Sequence, residues 1–441
     1  MNQKKTVNFG FRGWMLIIYQ AIAFVTYQVF TNYPLNILAD MYGGAQVLSK
    51  VYSICAIIGV LAQLAMAGLI SKLKSIKRFG SILGAVTLLL GLGIMLLPAG
   101  PIWMLCYAVE NVVSVLYATF SIGILVGQWF PTRKGTIMGI ATFAFPIANG
   151  LIGPFAASVF AKGFPDVTGA FLPFFIVFVI GWIIGLIFIK DYPEQCGAYR
   201  DNDKNLTPEI AEKMMLEEIE NKKTSVWTLP HTLACRDFWL ITIPVGTLLM
   251  FSVGMMTQSA AIIGNFENEL AFVGGYTGVM AMIMIFGCIG SFILGVLDTR
   301  FGTKFAMIIS VVIMIISGIL GTIPNAITLL ISMICLALFM GASSNFGVSM
   351  AAQYWRREDF SRVFAAASPI GNIICSSGPM LIAMLMYSAG GYRTIFITTA
   401  IVGVISLILL LLFKPSHVKE VDDKYRKAAG KTLDDALVGR K

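Results

Sequence analysis

Pro146-Ile147-Ala148-Asn149 returns as Pro369-Ile370-Gly371-Asn372, 223 residues further along the chain. Three other matches keep nearly the same lag. Gly153-Pro154 is echoed by Gly378-Pro379, Gln128-Trp129-Phe130 by Gln353-Tyr354-Trp355, and Gly68 by Gly295. The lags run only from 223 to 227, and each match falls at the equivalent place in its half. One match would be noise; four in register read as a duplicated unit of about half the chain.

What lies around these segments tells what was duplicated. Of 441 residues, 57% are hydrophobic and only 12% are Asp, Glu, Lys or Arg. An ordinary soluble domain carries about 25% charged residues, so a soluble enzyme and a disordered chain are both excluded. Apolar stretches recur between short polar turns, near 13–38, 47–70, 79–97, 102–127, 136–160, 170–190, 237–260, 273–297, 304–323, 326–350, 363–388 and 393–413. Each is about the 20 residues that a bilayer crossing needs. The expected fold class is all-α, with twelve membrane spans in two pseudo-symmetric six-helix bundles. The expected units are a first bundle at 1–190, a linker at 191–236, a second bundle at 237–413 and a tail at 414–441.

The run from Trp14 follows Lys4 and Lys5 as a signal peptide would. It is long enough to span and no small-residue cleavage site follows it, so it reads as the first span. Within the linker, Thr207-Pro208-Glu209 reads as a helix start, with Ile210, Met214, Leu216 and Ile219 on a short amphipathic helix. This is either a connector on the membrane surface or a docking segment.

Charge sets the orientation. Of 32 Lys and Arg, only Lys50, Lys162 and Arg393 fall on one side of the twelve-span topology. The basic side is expected to face the cytoplasm, with both termini on it, in a plasma membrane. The net +9 is therefore an orientation device that meets anionic lipid, not a nucleic-acid signal. The seven Cys are scattered, with neither disulfide nor zinc spacing, and the only His, His231 and His417, lie in polar segments. No metal or other cofactor is expected. There is no G-x-S-x-G, no H-E-x-x-H and no P-loop, so the chain reads neither as an enzyme nor as an ATP-driven pump.

Duplicated six-span halves are a secondary-transporter architecture, with the site between the halves near the midplane. A charge at a span centre costs about 2.5–3.5 kcal/mol on insertion scales, so each one is a functional candidate. Glu110 alone lies well inside a span, seven residues past Trp103, or roughly 10 Å deep. Tyr107, Glu110, Ser114, Tyr117 and Ser121 step by three and four, which puts them on one helix face. A polar stripe avoids lipid, so it is expected to face a water-filled path or the other half. Two chemical roles fit Glu110: it carries a coupling proton, because burial favours the neutral acid, or it stays ionised against a cationic solute. The plain alternative is a structural glutamate bonded to a neighbouring helix. Weaker candidates are Gln20, Tyr27 and Thr31 in the first span, Thr247, Gly254 and Gln258 in the seventh, and Ser343, Ser344 and Asn345 in the tenth. Asn149 and Asn372 sit at equivalent places beside Pro146 and Pro369; they either contact solute or satisfy backbone groups freed by the prolines. Glycines at small-x-x-x-small spacing, such as Gly287, Ser291 and Gly295, predict close helix crossings.

The chain resembles the major facilitator superfamily over essentially its whole length. In that family a turn of the form G-x-x-x-D-R-x-G-R-K follows spans two and eight. The second copy is recognisable here, with altered spacing, in Gly295, Asp298, Arg300, Gly302 and Lys304; the first, from Gly68 to Arg78, keeps the glycine and basic charge but lacks the acid. The resemblance implies a gating loop at Asp298, Arg300 and Lys304, a cavity lined by spans one, four, seven and ten, a small-molecule substrate, and a monomer. Three segments are similar to the oxalate/formate antiporter and monocarboxylate branch: Gln128–Gly135, Tyr192–Gly197, and Thr228–Pro230 through Phe238–Leu240. The branch implies a carboxylate, moved by proton symport or anion exchange. Carriers of that branch are expected to hold Arg or Lys inside spans eight and eleven; 273–297 and 363–388 hold none. That pulls against a small dicarboxylate and leaves a larger or amphipathic carboxylate, held by hydrogen bonds and apolar contacts. The alternatives are an exporter of amphipathic or cationic compounds, with Glu110 as the cation partner, and a non-transporting membrane sensor.

Overall fold

The structure, a computed structural model, describes residues 10–31, 45–70, 75–98, 100–118, 125–130, 146–147, 150–151, 155, 167–202, 209–210, 213, 216, 225–356 and 359–431. Among them the expected spans are helices. They are span one (Gly10–Thr31), two (Ala45–Ile70), three (Ile76–Leu96), four (Pro101–Ala118) and six (Val167–Phe188). Then come span seven (Arg236–Thr257), eight (Gly275–Phe301), nine (Thr303–Gly321), ten (Ala326–Tyr354), eleven (Phe360–Met386) and twelve (Tyr392–Leu412). Of span five, the described residues are Pro146, Ile147, Gly150, Leu151 and Phe155, all helical. Among the described residues, eight helices are long and apolar enough to cross a bilayer, and Val47–Gln63 and Pro101–Tyr117 are shorter apolar stretches. The described residues are those of an all-helical, multi-pass membrane protein.

Helix boundaries follow local chemistry. Asn325 starts span ten, its Oδ1 accepting the backbone N–H of Ile327 at 2.9 Å. Ser75 caps span three by accepting from the N–H of Arg78 at 3.0 Å. Both satisfy donors that a helix start leaves unpaired. Gly302 alone separates spans eight and nine, at φ +91°, a conformation that disfavours any residue with a Cβ.

The two halves share one internal packing scheme. Span two packs on four as eight packs on ten, three on four as nine on ten, and three on six as nine on twelve. Span one meets four and six just as seven meets ten and twelve. Span seven is central, with 83% of its apolar window buried, and span ten follows at 67%. Spans six and twelve are peripheral, at 22% and 33%. Their exposed Ile176, Ile180, Ile187, Ile401 and Ile405 are what a lipid-facing surface requires.

The halves meet along span two against span eleven. There Gln63 Nε2 donates to Ser368 Oγ at 3.3 Å, and Ile373 packs on Ala56, Val60 and Val115. Span five meets span eight: a Cβ on Gly287 would lie 2.5 Å from Pro146 Cβ, and one on Gly150 would strike Met284. Moving six spans along the chain exchanges these two contacts, which is what a two-fold relation between halves demands.

One element exceeds the sequence reading. The tail holds a helix, Pro415–Ala428, that buries Val418, Asp422 and Arg426 against the second half and the end of the linker. The expected helix start at Thr207-Pro208 lies outside the described residues.

Candidate functional site

Glu110 sits in the middle of span four and is fully buried. Neither carboxyl oxygen has a hydrogen-bond partner, and no ion pair reaches it among the described residues. Ser114, one turn on, is also fully buried with its Oγ unpartnered. Span four carries no other acid or base between Pro101 and Ala118.

Tyr107 and Tyr117 have identifiable neighbours in the first half. Tyr107 OH donates to the carbonyl of Thr31, the last residue of span one, at 2.8 Å. Its ring stacks on Trp103 at 5.4 Å, and Trp103 Nε1 donates to the Ile94 carbonyl in span three at 3.0 Å. Asn111 Nδ2 donates to the Tyr107 carbonyl at 2.8 Å. Tyr117 lies against span three, where a Cβ on Gly84 would come within 3.0 Å of both its ring and that of Trp182. Tyr107 and Tyr117 thus point toward spans one, three and six. Ser121 lies outside the described residues.

The weaker candidates fall into three groups. Gln20, Thr31, Thr247, Gln258, Ser343 and Asn345 are buried and Asn372 is half-buried. Thr247 Oγ1 is 2.8 Å from Ser406 Oγ, and Ser343 and Ser344 bond back to their own helix. Gly254 brings the backbone of span seven against Gly378 in span eleven. Gln258 Nε2, at the end of span seven, has no partner among the described residues. Asn149 and the side chain of Tyr27 lie outside the described residues.

In the turn between spans eight and nine, Asp298 accepts from Thr303 Oγ1 at 2.6 Å. Lys304 Nζ donates to the Phe413 carbonyl at 2.7 Å, and its backbone N–H donates to Tyr354 OH at 2.8 Å. Arg300 is exposed. The turn thus fastens the ends of spans eight, nine, ten and twelve together. Arg362, at the start of span eleven, donates to the Ser225 carbonyl at 3.3 Å and so is held by the linker.

The sequence reading missed a buried charged cluster on this same face. Asp422 Oδ1 accepts from Trp227 Nε1 at 2.9 Å, and its Oδ2 accepts from Arg356 Nε at 2.9 Å and Arg426 Nε at 3.0 Å. Arg426 Nη2 reaches Asp359 at 2.9 Å, and Asp359 also accepts from Ser225 Oγ. His417 pairs with Asp237, and the His231 ring stacks on Tyr425 at 4.1 Å. The i, i+4 placement of Asp422 and Arg426 was the one available signal. Arg356 and Arg362 had counted only as orientation charges.

A profile of the Major Facilitator Superfamily matches residues 245–438. No curated protein matches the chain by sequence. Solved structures match it along nearly their full lengths. The human organic anion transporter MFSD10 aligns at TM-score 0.63 and 12% identity, covering 90% of this chain and 97% of its own. The proton:xylose symporter XylE aligns at TM-score 0.64 and 12% identity, over 91% and 96%. The nucleoside transporter NupG aligns at TM-score 0.60 and 12% identity, over 91% and 99%. The chain has the major facilitator fold, and its second half carries that superfamily's sequence signature.

Proposed function

We propose that the protein is a secondary carrier of an organic monocarboxylate, working by alternating access, with Glu110 holding a coupling proton. The observation that carries this reading is the environment of Glu110: fully buried, with no cation and no hydrogen bond among the described residues. An unpaired buried carboxylate is far more costly than the neutral acid. The neutral acid is the form this packing accommodates, so a cycle that exposes Glu110 to water exchanges a proton. A carboxylate entering with one proton moves no net charge, which fits spans eight and eleven having no Arg or Lys well inside them. Polar groups such as Gln258 and Asn372 then supply hydrogen bonds to the solute in place of a cation. Among the neighbours, one is described as an organic anion transporter and another as a proton symporter, and both share only the fold with this chain. In this reading the face with the tail helix is cytoplasmic, the membrane is the plasma membrane, the working unit is a monomer, and Asp298, Arg300 and Lys304 govern the rocking of the second half.

Uptake by purified protein in liposomes tests the reading, with carboxylates, amines and lipophilic cations in one panel, with and without an imposed pH gradient. Accumulation of a carboxylate only under the gradient is expected. Gradient-independent exchange of two anions would replace symport by antiport. Movement of cations alone would overturn the substrate class.

A further inference from the structure

Helix periodicity sets a hydroxyl of span three, that of Thr87, against the level of Glu110. The bond from Trp103 Nε1 to the Ile94 carbonyl fixes how spans three and four face each other. These spans run antiparallel, since Gly93 meets Cys106 while Gly84 meets Tyr117. Thr87 lies two turns from Ile94 and Glu110 two turns from Trp103, each about 10 Å along its axis from that bond. A residue two turns away returns to nearly the same helix face. Below them the Gly84–Tyr117 contact closes the interval, one turn beyond Thr87 and two beyond Glu110. Thr87, Glu110 and Ser114 thus share one enclosed stretch of the interface, and all three are fully buried. Thr87 Oγ1, both Glu110 carboxyl oxygens and Ser114 Oγ have no partner among the described residues.

Four orphaned polar atoms at one level of one interface are a costly arrangement for packed protein alone. Ser and Thr hydroxyls inside helices ordinarily bond back to a carbonyl three or four residues earlier, as Ser81 does to Lys77 at 2.9 Å. Thr87 and Ser114 do not. Buried water typically makes about three hydrogen bonds to groups of this kind. We propose that Thr87, Glu110 and Ser114 enclose ordered water between spans three and four, and that Thr87 and Ser114 are positioning residues for the Glu110 carboxyl. The inference rests on Glu110 being the proton holder. The water links the acid to the hydroxyls of both helices, so the proton is held inside the first half rather than directly on a solute.

Infrared difference spectroscopy of the full-length protein between acid and alkaline pH tests this. The wild type is expected to show a carboxylic-acid C=O band that E110Q removes. In T87V and S114A that band is expected to move to higher frequency, as the carbonyl loses hydrogen bonds, and to keep its wild-type position in T87S. A Glu110 band at the wild-type position in T87V, S114A and their double variant overturns the water site while leaving Glu110 as the proton holder. If E110Q removes no band, the proton-holder reading fails and the water site falls with it.

Discussion

Tyr107 shows how one side chain joins two spans. Thr31 is the last residue of span one, and the last carbonyls of a helix look outside it for donors. The Tyr107 hydroxyl supplies one, and Trp103 locks the ring from behind. Tyr107→Phe keeps the ring and removes the bond, at a cost of about 1 kcal/mol. A lower melting temperature with substrate affinity unchanged is expected; loss of binding at wild-type stability would place Tyr107 in the solute site instead. The position of Glu110 was legible in the sequence because charge inside an apolar run is conspicuous. Which way its stripe points was not. Helical spacing fixes which residues share a face, but the direction of that face depends on Gly84 and Thr31, in other helices. Thr87 gave no sequence signal, because one threonine in an apolar span is usually satisfied by its own backbone.

At the scale of elements, two devices hold the second half together. One is close crossing at small residues. A Cβ on Gly290 would strike the backbone of Leu338, and one on Gly341 would strike Ser291, so spans eight and ten touch backbone to backbone. The small-residue spacing predicted this for Gly287 and Ser291, but Gly295 has open space beside it. Gly290→Val forces the helices apart at a cost of about 1–3 kcal/mol, and a reduced yield of monodisperse protein is expected. The other device is the charged cluster that clasps the tail helix to Trp227 and the turn before span eleven. Asp422→Asn retains an acceptor for Trp227 but removes the carboxylate shared by Arg356 and Arg426, both buried. Breaking a buried pair on one side costs about 3–5 kcal/mol. Faster hydrogen exchange over residues 415–428 is the expected result, and unchanged protection there would mean that Val418 and the ring contacts hold the helix without the cluster. The sequence showed the tail only as a polar extension. Its helix buries a short face, and the partners of that face, Trp227, Arg356 and Asp359, lie far away along the chain.

At the scale of the whole molecule, the repeat carried the most information. Its lag of 223 to 227 residues predicted two bundles with one packing scheme, and the pairing of spans within each half has that form. The contacts between halves were partly legible: Pro146 belongs to the repeated motif and meets Gly287, whereas nothing in the sequence singled out Gln63 and Ser368. In the proposed alternating-access cycle, rocking of the halves breaks the Gln63–Ser368 bond in one of its two end states. Joining cysteines at these two positions with a short cleavable thiol crosslinker is therefore expected to stop transport, with activity returning on cleavage. Full activity in the crosslinked protein would mean that this seam does not open.

The account depends most on Glu110. The direct measurement is accumulation of a labelled monocarboxylate in proteoliposomes under an inward proton gradient, comparing wild type with Glu110→Gln. The wild type is expected to concentrate the solute above its outside level and to lose this when a protonophore collapses the gradient. The variant is expected to show no gradient-driven accumulation. Accumulation by the variant that still follows the gradient would contradict the account.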